Sequence, residues 1–312
     1  MAKRVLQDSE PVHLSVIMPA LNEGEVIADL VRRVKSVLDA RDEKYEILVV
    51  DDGSSDNTAS EARSMGAHVI QHPYNIGNGA AIKTGIRHAK GSVLIMIDGD
   101  GQEDPNDIPR LLEKIGVYDM IVGSRTRASE TALHRDLANT LYNWLASYIS
   151  GRKIEDLTCG LRAVKTRIAR QFVYLLPNAF SYPSTLTLSI VRAGYSLGYI
   201  PIRTTRRAGK NKSKIKPLQD GLRFLLIILK IAVFYSPLKV FMPLSVLIFL
   251  LGIAYGFIRV LAWHLSYGQT SALLVSTATL VFLVGLVSEQ IALLRFDRSE
   301  SSMADIKEED DF

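Results

Sequence analysis

Residues 93–105 read VLIMIDGDGQEDP. An apolar run of strand length stops abruptly at Asp98-Gly99-Asp100 and gives way to turn residues, the pattern of a buried strand feeding a polar loop. The segments 14–20, 46–52, 68–72 and 120–124 have the same shape, each a short β-branched run ending in small or polar residues. Between these lie helical stretches at 23–40, 57–65, 79–89 and 105–115, with Asp56 placed to cap the second. Strand and helix in turn predict an α/β fold, a mostly parallel sheet covered on both faces. Ligands of such sheets bind beyond the carboxyl ends of the strands.

The 312 residues are 47% apolar and 22% charged, which excludes a disordered or collagen-like chain. A single cysteine, Cys159, excludes an intrachain disulfide framework and a cysteine-based metal cluster. Mean hydropathy is positive, +0.12, although the chain carries 37 basic and 33 acidic groups. Apolar and charged residues must therefore sit in different places. Residues 1–11 are polar and offer no apolar targeting segment. Net charge is +4, but residues 297–312 hold seven acids and two bases, so the remainder carries +9. Between Arg203 and Lys216 there are seven bases and no acid.

Two later stretches, 240–258 and 265–288, are free of charge over 19 and 24 residues. A bilayer core needs about 20 helical residues, so each is long enough to span. Tyr255, Trp263 and Tyr267 fall near the expected interfaces. The connection 263–270 has no Lys or Arg, whereas Lys230, Lys239, Arg295 and Arg298 flank the outer ends. By the positive-inside rule the pair is a hairpin with both termini in the cytoplasm. Residues 221–235, with Arg223 and Lys230 seven apart, read as a helix lying in the interface. Residues 139–149 read either as a second interfacial helix or as a soluble core helix. The expected organisation is a cytoplasmic domain over 1–217, an interfacial helix over 218–238, two transmembrane helices over 239–295 and an acidic tail over 296–312.

Polar residues gather at the strand ends: PALNE at 19–23, DDGSSD at 51–56 and DGDGQ at 98–102. Carboxylates clustered on one sheet edge repel one another without a cation. Asp98 and Asp100 offer two hard oxygen ligands across a tight Gly99 turn, suited to Mg²⁺ or Mn²⁺ shared with a diphosphate. A nucleoside diphosphate compound is the implied substrate. Gly77-Asn78-Gly79 hints at a dinucleotide fingerprint, but Ile82 stands where its third glycine belongs. The better reading is a turn whose helix N-terminus, with Lys83, faces the nucleotide side of a cleft.

PALNE, VVDDGSSDNT and DGDGQEDP, in this order and at these intervals, resemble the inverting family-2 glycosyltransferases of the GT-A fold. VGSR at 122–125, EDLTCGLRAVK at 155–165 and R-x-x-G-x-x-x-S-K at 206–214, followed by the membrane pair, resemble the polyprenyl-phosphate sugar transferases within it. These include dolichol-phosphate mannose synthases and bacterial undecaprenyl-phosphate glucosyl- and aminoarabinosyltransferases. The resemblance spans about residues 12–295 and implies an enzyme of GT-A (Rossmann-like) fold. It would move a hexose from a UDP- or GDP-linked sugar to undecaprenyl or dolichyl phosphate. It further implies contact with a lipid bilayer, no nucleic-acid partner and a homo-oligomer, a tetramer in the family.

Residue by residue, the resemblance gives Asp51 and Asp52 to the nucleotide base and ribose, beside Pro19, Asn22, Glu23 and Lys83. Asp98, Gly99, Asp100 and Gln102 fall on the diphosphate positions, with Asp98, Asp100 and Gln102 on those of the metal. Arg125 and Arg135 fall where the family contacts the acceptor phosphate or the transferred sugar. Arg206, Arg207, Ser213 and Lys214 match the basic loop at the lipid-phosphate entrance. That loop is longer here than the family's R-x-x-G-x-S-K form, and the acidic tail has no counterpart. Asp156 matches an acidic position proposed as a base, so Asp100, Asp156 and Arg125 are the candidate catalytic residues. A phosphate monoester, however, has its second pKa near about 6 and is mostly dianionic at pH 7. Asp156 is therefore expected to position Arg162 or the acceptor sugar pocket. A processive polysaccharide synthase would carry Gln-x-x-Arg-Trp, which neither Trp144 nor Trp263 completes. A non-catalytic nucleotide-sugar scaffold would have no need of the Asp98/Asp100 pair.

Overall fold

The computed structural model describes residues 13–125, 133–179, 182–204, 232–261 and 268–310. The chain divides into two compact units, Met1–Trp144 with Arg152–Lys214, and Leu145–Gly151 with Ile215–Phe312.

The first unit is built on a seven-stranded sheet: β1 (Leu14–Ala20), β2 (Tyr45–Asp51), β3 (His68–Gln71), β4 (Val93–Met96), β5 (Met120–Arg125), β6 (Arg162–Lys165) and β7 (Leu197–Ile202), in the order β3-β2-β1-β4-β6-β5-β7. All neighbours are parallel except β6, which runs antiparallel to both β4 and β5. The five expected strands are present, within one or two residues of their predicted ends. Strand β4 stops at Met96, although Ile97 and Gly99 still donate to the carbonyls of Ile17 and Pro19. β1 is buried along its whole length because layers cover both faces of the sheet. Its one polar residue inside the sheet, Ser15, is satisfied: Oγ donates to Glu46 Oε1 at 2.6 Å and accepts from Gly91 N–H at 2.8 Å.

Three helices flank the first strands: α1 (Ile27–Leu38), α2 (Thr58–Ser64) and α3 (Asn78–His88). α1 buries Ile27, Leu30, Val31, Val34 and Leu38, a one-sided stripe at helical spacing. It begins four residues later than expected because Asn22 sits at φ 55° and the Glu23 carbonyl closes a turn onto Val26 and Ile27 N–H. The N-cap of α2 is Asn57 where Asp56 was expected; Asp56, one residue earlier, still accepts from Thr58 N–H at 3.0 Å. The stretch 105–115 is shorter than expected: a 3-10 turn, Pro105–Asp107, leads into α4 (Ile108–Leu112).

Two strands were absent from the sequence reading. β6 is only RAVK, yet Arg162 lies fully buried in the middle of the sheet. Its guanidinium donates to the carbonyls of Pro183 (2.9 Å) and Cys159 and to Thr187 Oγ1 (3.2 Å), and lies 5.8 Å from the Tyr182 ring centroid. β7 is an edge strand, where Pro201 is tolerated. Three further helices follow β5: α5 (Leu133–Ser150), α6 (Thr166–Phe172) and α7 (Tyr182–Arg192). Within 139–149, Tyr142, Ala146 and Ile149 are buried while Trp144 and Tyr148 are exposed.

The second unit is an antiparallel helix pair, α8 (Pro237–Leu261) and α9 (Gln269–Asp310). Their apolar parts, Pro237–Leu261 and Gln269–Leu294, are long enough to cross a membrane and are mostly exposed. Small residues line the seam: Ser245, Gly252 and Gly256 are buried, and a Cβ on Gly252 would stand 2.9 Å from that of Leu274. Near the start of α8, Glu289 Oε2 accepts the Leu238 N–H at 3.1 Å. Lys239 Nζ donates to the carbonyls of Tyr148 (3.0 Å) and Ile149 (2.7 Å), completing the C-terminal turn of α5. Of the interfacial helix expected over 221–235, only 232–235 lie within the described residues.

Candidate active site

Because β1, β2 and β4 are adjacent and parallel, their carboxyl ends open on one edge. There a cleft of about 310 Å³ is lined by Pro19, Ala20, Leu21 and Glu23 from the end of β1, by Asp52 after β2, and by Asp98, Gly99 and Asp100 after β4. Asn75, Asn78 and Ala81 close it from the loop before α3 and the first turn of that helix. Gly99 is required where it is: its N–H donates to the Pro19 carbonyl at 3.1 Å, and a Cβ would come within 2.6 Å of that oxygen.

Asp52 is fixed by three donors. Oδ1 meets Ile76 N–H at 3.0 Å and His72 Nδ1 at 2.7 Å, and Oδ2 accepts Gly77 N–H at 2.7 Å. With His72 donating from Nδ1, its Nε2 is left to accept the Thr84 hydroxyl at 2.9 Å. Asp51 serves the scaffold: Oδ1 accepts Ser54 N–H (2.9 Å) and Oδ2 accepts from Gln71 Nε2 (3.1 Å). Asn22 ties the two acidic loops, its Oδ1 accepting Ser55 N–H at 2.9 Å.

Of the expected nucleotide and diphosphate contacts, Pro19, Glu23, Asp52, Asp98, Gly99 and Asp100 are brought together in the cleft. Asn22, Asp51, Lys83 and Gln102 are not among its lining residues. The N-terminus of α3 does face the cleft as expected, through Asn78 and Ala81. Lys83 does not; two to five residues further on, it points to another side of the helix and its ammonium bonds Asn178 Oδ1. Gln102 contributes its backbone, whose N–H donates to Asp100 Oδ1 at 3.1 Å.

Arg125 and Asp156 form a two-point pair, Nε to Oδ2 at 2.8 Å and Nη2 to Oδ1 at 2.9 Å. Asp156 also accepts from the N–H groups of Arg125 (3.2 Å), Thr158 (3.0 Å) and Cys159 (3.1 Å). Burial alone would raise the Asp156 pKa, but the Arg125 guanidinium and these N–H groups outweigh it and hold the carboxyl below its ordinary range. Of the two roles expected for Asp156, Arg162 or the acceptor sugar pocket, the first is corrected: its partner is Arg125, and Arg162 is held by carbonyls and a hydroxyl. Arg135 lies on α5 among residues whose side chains are not described, and Arg206, Arg207, Ser213 and Lys214 lie outside the described residues.

Residues the sequence reading passed over are Asn75, Asn78 and Glu103. Asn78 stands in the stretch weighed as a dinucleotide fingerprint, and Asn75 lies two residues before it. Glu103 is 5% exposed behind the Asp98–Asp100 turn. Burial and the charges of Asp98 and Asp100 push its carboxyl up to about 8, against the lowering effect of two backbone N–H donors. Such crowding of carboxylates is the electrostatic mark of a cation site. Among the described residues no three His, Cys, Asp or Glu side chains converge as a complete ligand set. A cation held by Asp98 and Asp100 would complete its shell with diphosphate oxygens and water, the usual habit of Mg²⁺.

Residues 15–174, half of the chain, match the glycosyl transferase family 2 profile. The chain belongs to glycosyl transferase family 2. Residues 236–294 of this family-2 chain match a second profile, the GtrB C-terminal hairpin. Among curated relatives, a dodecaprenyl-phosphate galacturonate synthase of Rhizobium johnstonii is 30% identical over 170 residues, covering 52% of this chain and 50% of the relative. An undecaprenyl-phosphate 4-deoxy-4-formamido-L-arabinose transferase of Klebsiella pneumoniae is 32% identical over 183 residues, covering 54% and 56%. The chain thus spans about half the length of the curated relatives it matches. Among solved structures, glucosyl-3-phosphoglycerate synthase of Mycobacterium tuberculosis in complex with Mn²⁺, UDP and glucosyl-3-phosphoglycerate superposes with a TM-score of 0.54 at 20% identity, covering 70% of this chain and 78% of that one. This likeness establishes the GT-A-type fold.

Proposed function

We propose that this family-2 chain transfers a sugar from a UDP- or GDP-linked donor to a polyprenyl phosphate, undecaprenyl or dolichyl, with inversion at the anomeric carbon. The observation that carries the reading is the meeting of Asp52, Asp98 and Asp100 at the carboxyl ends of parallel strands, in a chain that also bears an exposed apolar helix pair. The named activities of the relatives support it. Asp52, with Asn75 and Asn78, receives the nucleoside; Asp98 and Asp100 would hold Mg²⁺ or Mn²⁺. When bound, the metal neutralises the charge that develops on the departing diphosphate.

The acceptor is itself the nucleophile: a phosphate oxygen attacks the anomeric carbon as the bond to the nucleoside diphosphate breaks. At pH 7 the phosphate needs little deprotonation. Asp156, engaged by six donors and depressed in pKa, is poorly suited to act as a base. Its part is to orient Arg125. The bases Arg206, Arg207 and Lys214, with Ser213 and Arg135, draw the lipid phosphate in. The same reading places the hairpin in the inner membrane with the catalytic unit and both termini cytoplasmic, and the chain in a tetramer.

Purified protein incubated with a panel of nucleotide sugars, Mg²⁺ and polyprenyl phosphate, followed by mass spectrometry of the lipid fraction, tests the proposal. One donor should yield a polyprenyl-phosphate sugar. Donor hydrolysis without lipid product, or a growing polysaccharide, would replace it with another activity.

A further inference from the structure

Glu103 is buried directly behind the acidic turn, and both of its oxygens are committed. Oε2 accepts the Asp98 N–H at 3.0 Å and Oε1 accepts the Leu161 N–H at 2.9 Å. Cys159 Sγ stands 3.8 Å from Oε1. The backbone of Glu103 forms an isolated antiparallel bridge with Thr204, two residues before Arg206. One residue therefore joins the turn that faces the donor, the entry into β6 and the foot of the basic loop. Gly160 provides the room: a Cβ there would overlap Asp98 Oδ2 and stand 3.0 Å from Glu103 Oε1.

We propose that Glu103 is a positioning residue that registers the Asp98–Asp100 turn against the foot of the basic loop, setting the spacing between donor diphosphate and acceptor phosphate. The inference rests on the function proposed above for those two elements. Two buried N–H donors face its two oxygens, each of which keeps a lone pair to accept whether or not the acid carries its proton, whereas a glutamine offers one oxygen and one NH₂ group. In Glu103→Gln one N–H must therefore face another donor, which is costly in a buried place. Glu103→Asp keeps both acceptors one methylene short.

The test uses the full chain in lipid nanodiscs, with three variants: Glu103→Gln, Glu103→Asp and Gly160→Ala. Bound Mn²⁺ is counted by electron paramagnetic resonance with UDP, and in a parallel arm with GDP; KM is measured separately for donor and polyprenyl phosphate. Glu103→Gln should weaken Mn²⁺ binding by about tenfold or more, the usual effect of losing a residue that orients a metal ligand, and raise both KM values. Glu103→Asp should recover part of both losses. Gly160→Ala, which overlaps Asp98 and presses on Glu103 far less, should lose Mn²⁺ affinity with a smaller change in acceptor KM than Glu103→Gln. A folded Glu103→Gln protein with wild-type Mn²⁺ binding and both KM values unchanged overturns the proposal. Should that variant fail to fold, wild-type values in both Glu103→Asp and Gly160→Ala overturn it equally. If the wild-type protein makes no lipid-linked sugar, the proposed function fails instead, and the Mn²⁺ measurements still decide the role of Glu103.

Discussion

Asp156 grips Arg125 at two points, 2.8 Å and 2.9 Å, across 31 residues of sequence. The pair joins the end of β5 to the loop before β6, and Arg125 keeps about a quarter of its side chain exposed while Asp156 keeps 8%. Replacing Asp156 by Asn leaves a largely buried guanidinium without its counter-charge, a loss of about 3–5 kcal/mol in comparable pairs. The variant should melt at lower temperature and turn over more slowly. Its rate should show no new steep rise between about pH 7 and 9, because the acceptor phosphate ionises near about 6. A tenfold recovery per pH unit would instead identify Asp156 as the base.

The same carboxyl carries an acid-stability signature. Its folded pKa is depressed, so its contribution is complete above the unfolded value of about 3.9 and is lost as pH falls through the lower folded value. Asp119 behaves alike at the opposite end of the sheet. Lys165 Nζ at 2.8 Å and Ser196 N–H at 2.9 Å, working against burial, hold it at about 2. Thermal melts of Asp119→Asn should fall short of wild type at pH 7 and converge on it between about pH 4 and 2. A stability gap unchanged at pH 2 would contradict this account of the Asp119 contacts.

Asp100→Asn should nearly abolish transfer and weaken the response to added Mg²⁺ or Mn²⁺, since Asp100 lines the cleft beside Asp98. Retention of more than about a tenth of the wild-type rate, under about 1.4 kcal/mol of barrier, would count against direct ligation.

Replacing Arg206, Arg207 and Lys214 by Gln should raise the KM for polyprenyl phosphate and leave donor KM less changed. Attraction of a base to an anionic lipid surface is on the order of 1 kcal/mol. Loss confined to the donor would assign the loop to the other substrate.

A cysteine at position 266 should react with an impermeant thiol reagent from outside the intact membrane. Cys159 is buried, and a Cys159→Ser background removes it from the readout. Labelling only after the membrane is broken would reverse the orientation.

The legible part of the fold was its first half. β1, β2 and β4 are runs buried on both faces, so composition alone marks them. β6 escaped because it begins with Arg162 and ends with Lys165, and only tertiary partners make Arg162 tolerable in a sheet. Asp98 and Asp100 were readable from their place after an apolar run. The Asp156–Arg125 pairing was not, since no local spacing connects the two residues. Asn75 and Asn78 look like ordinary turn amides until the start of α3 brings them to the cleft. Glu103 reads as one more acid in an acidic loop, and only its burial separates it from its neighbours.

Direct attack by the acceptor phosphate is the centre of the proposed mechanism, and the anomeric configuration of the product reports on it. Nuclear magnetic resonance of the isolated polyprenyl-phosphate sugar, set against the donor, should show the configuration inverted, as a single displacement over the Asp98–Asp100 turn requires. A product that keeps the donor's configuration would contradict the account.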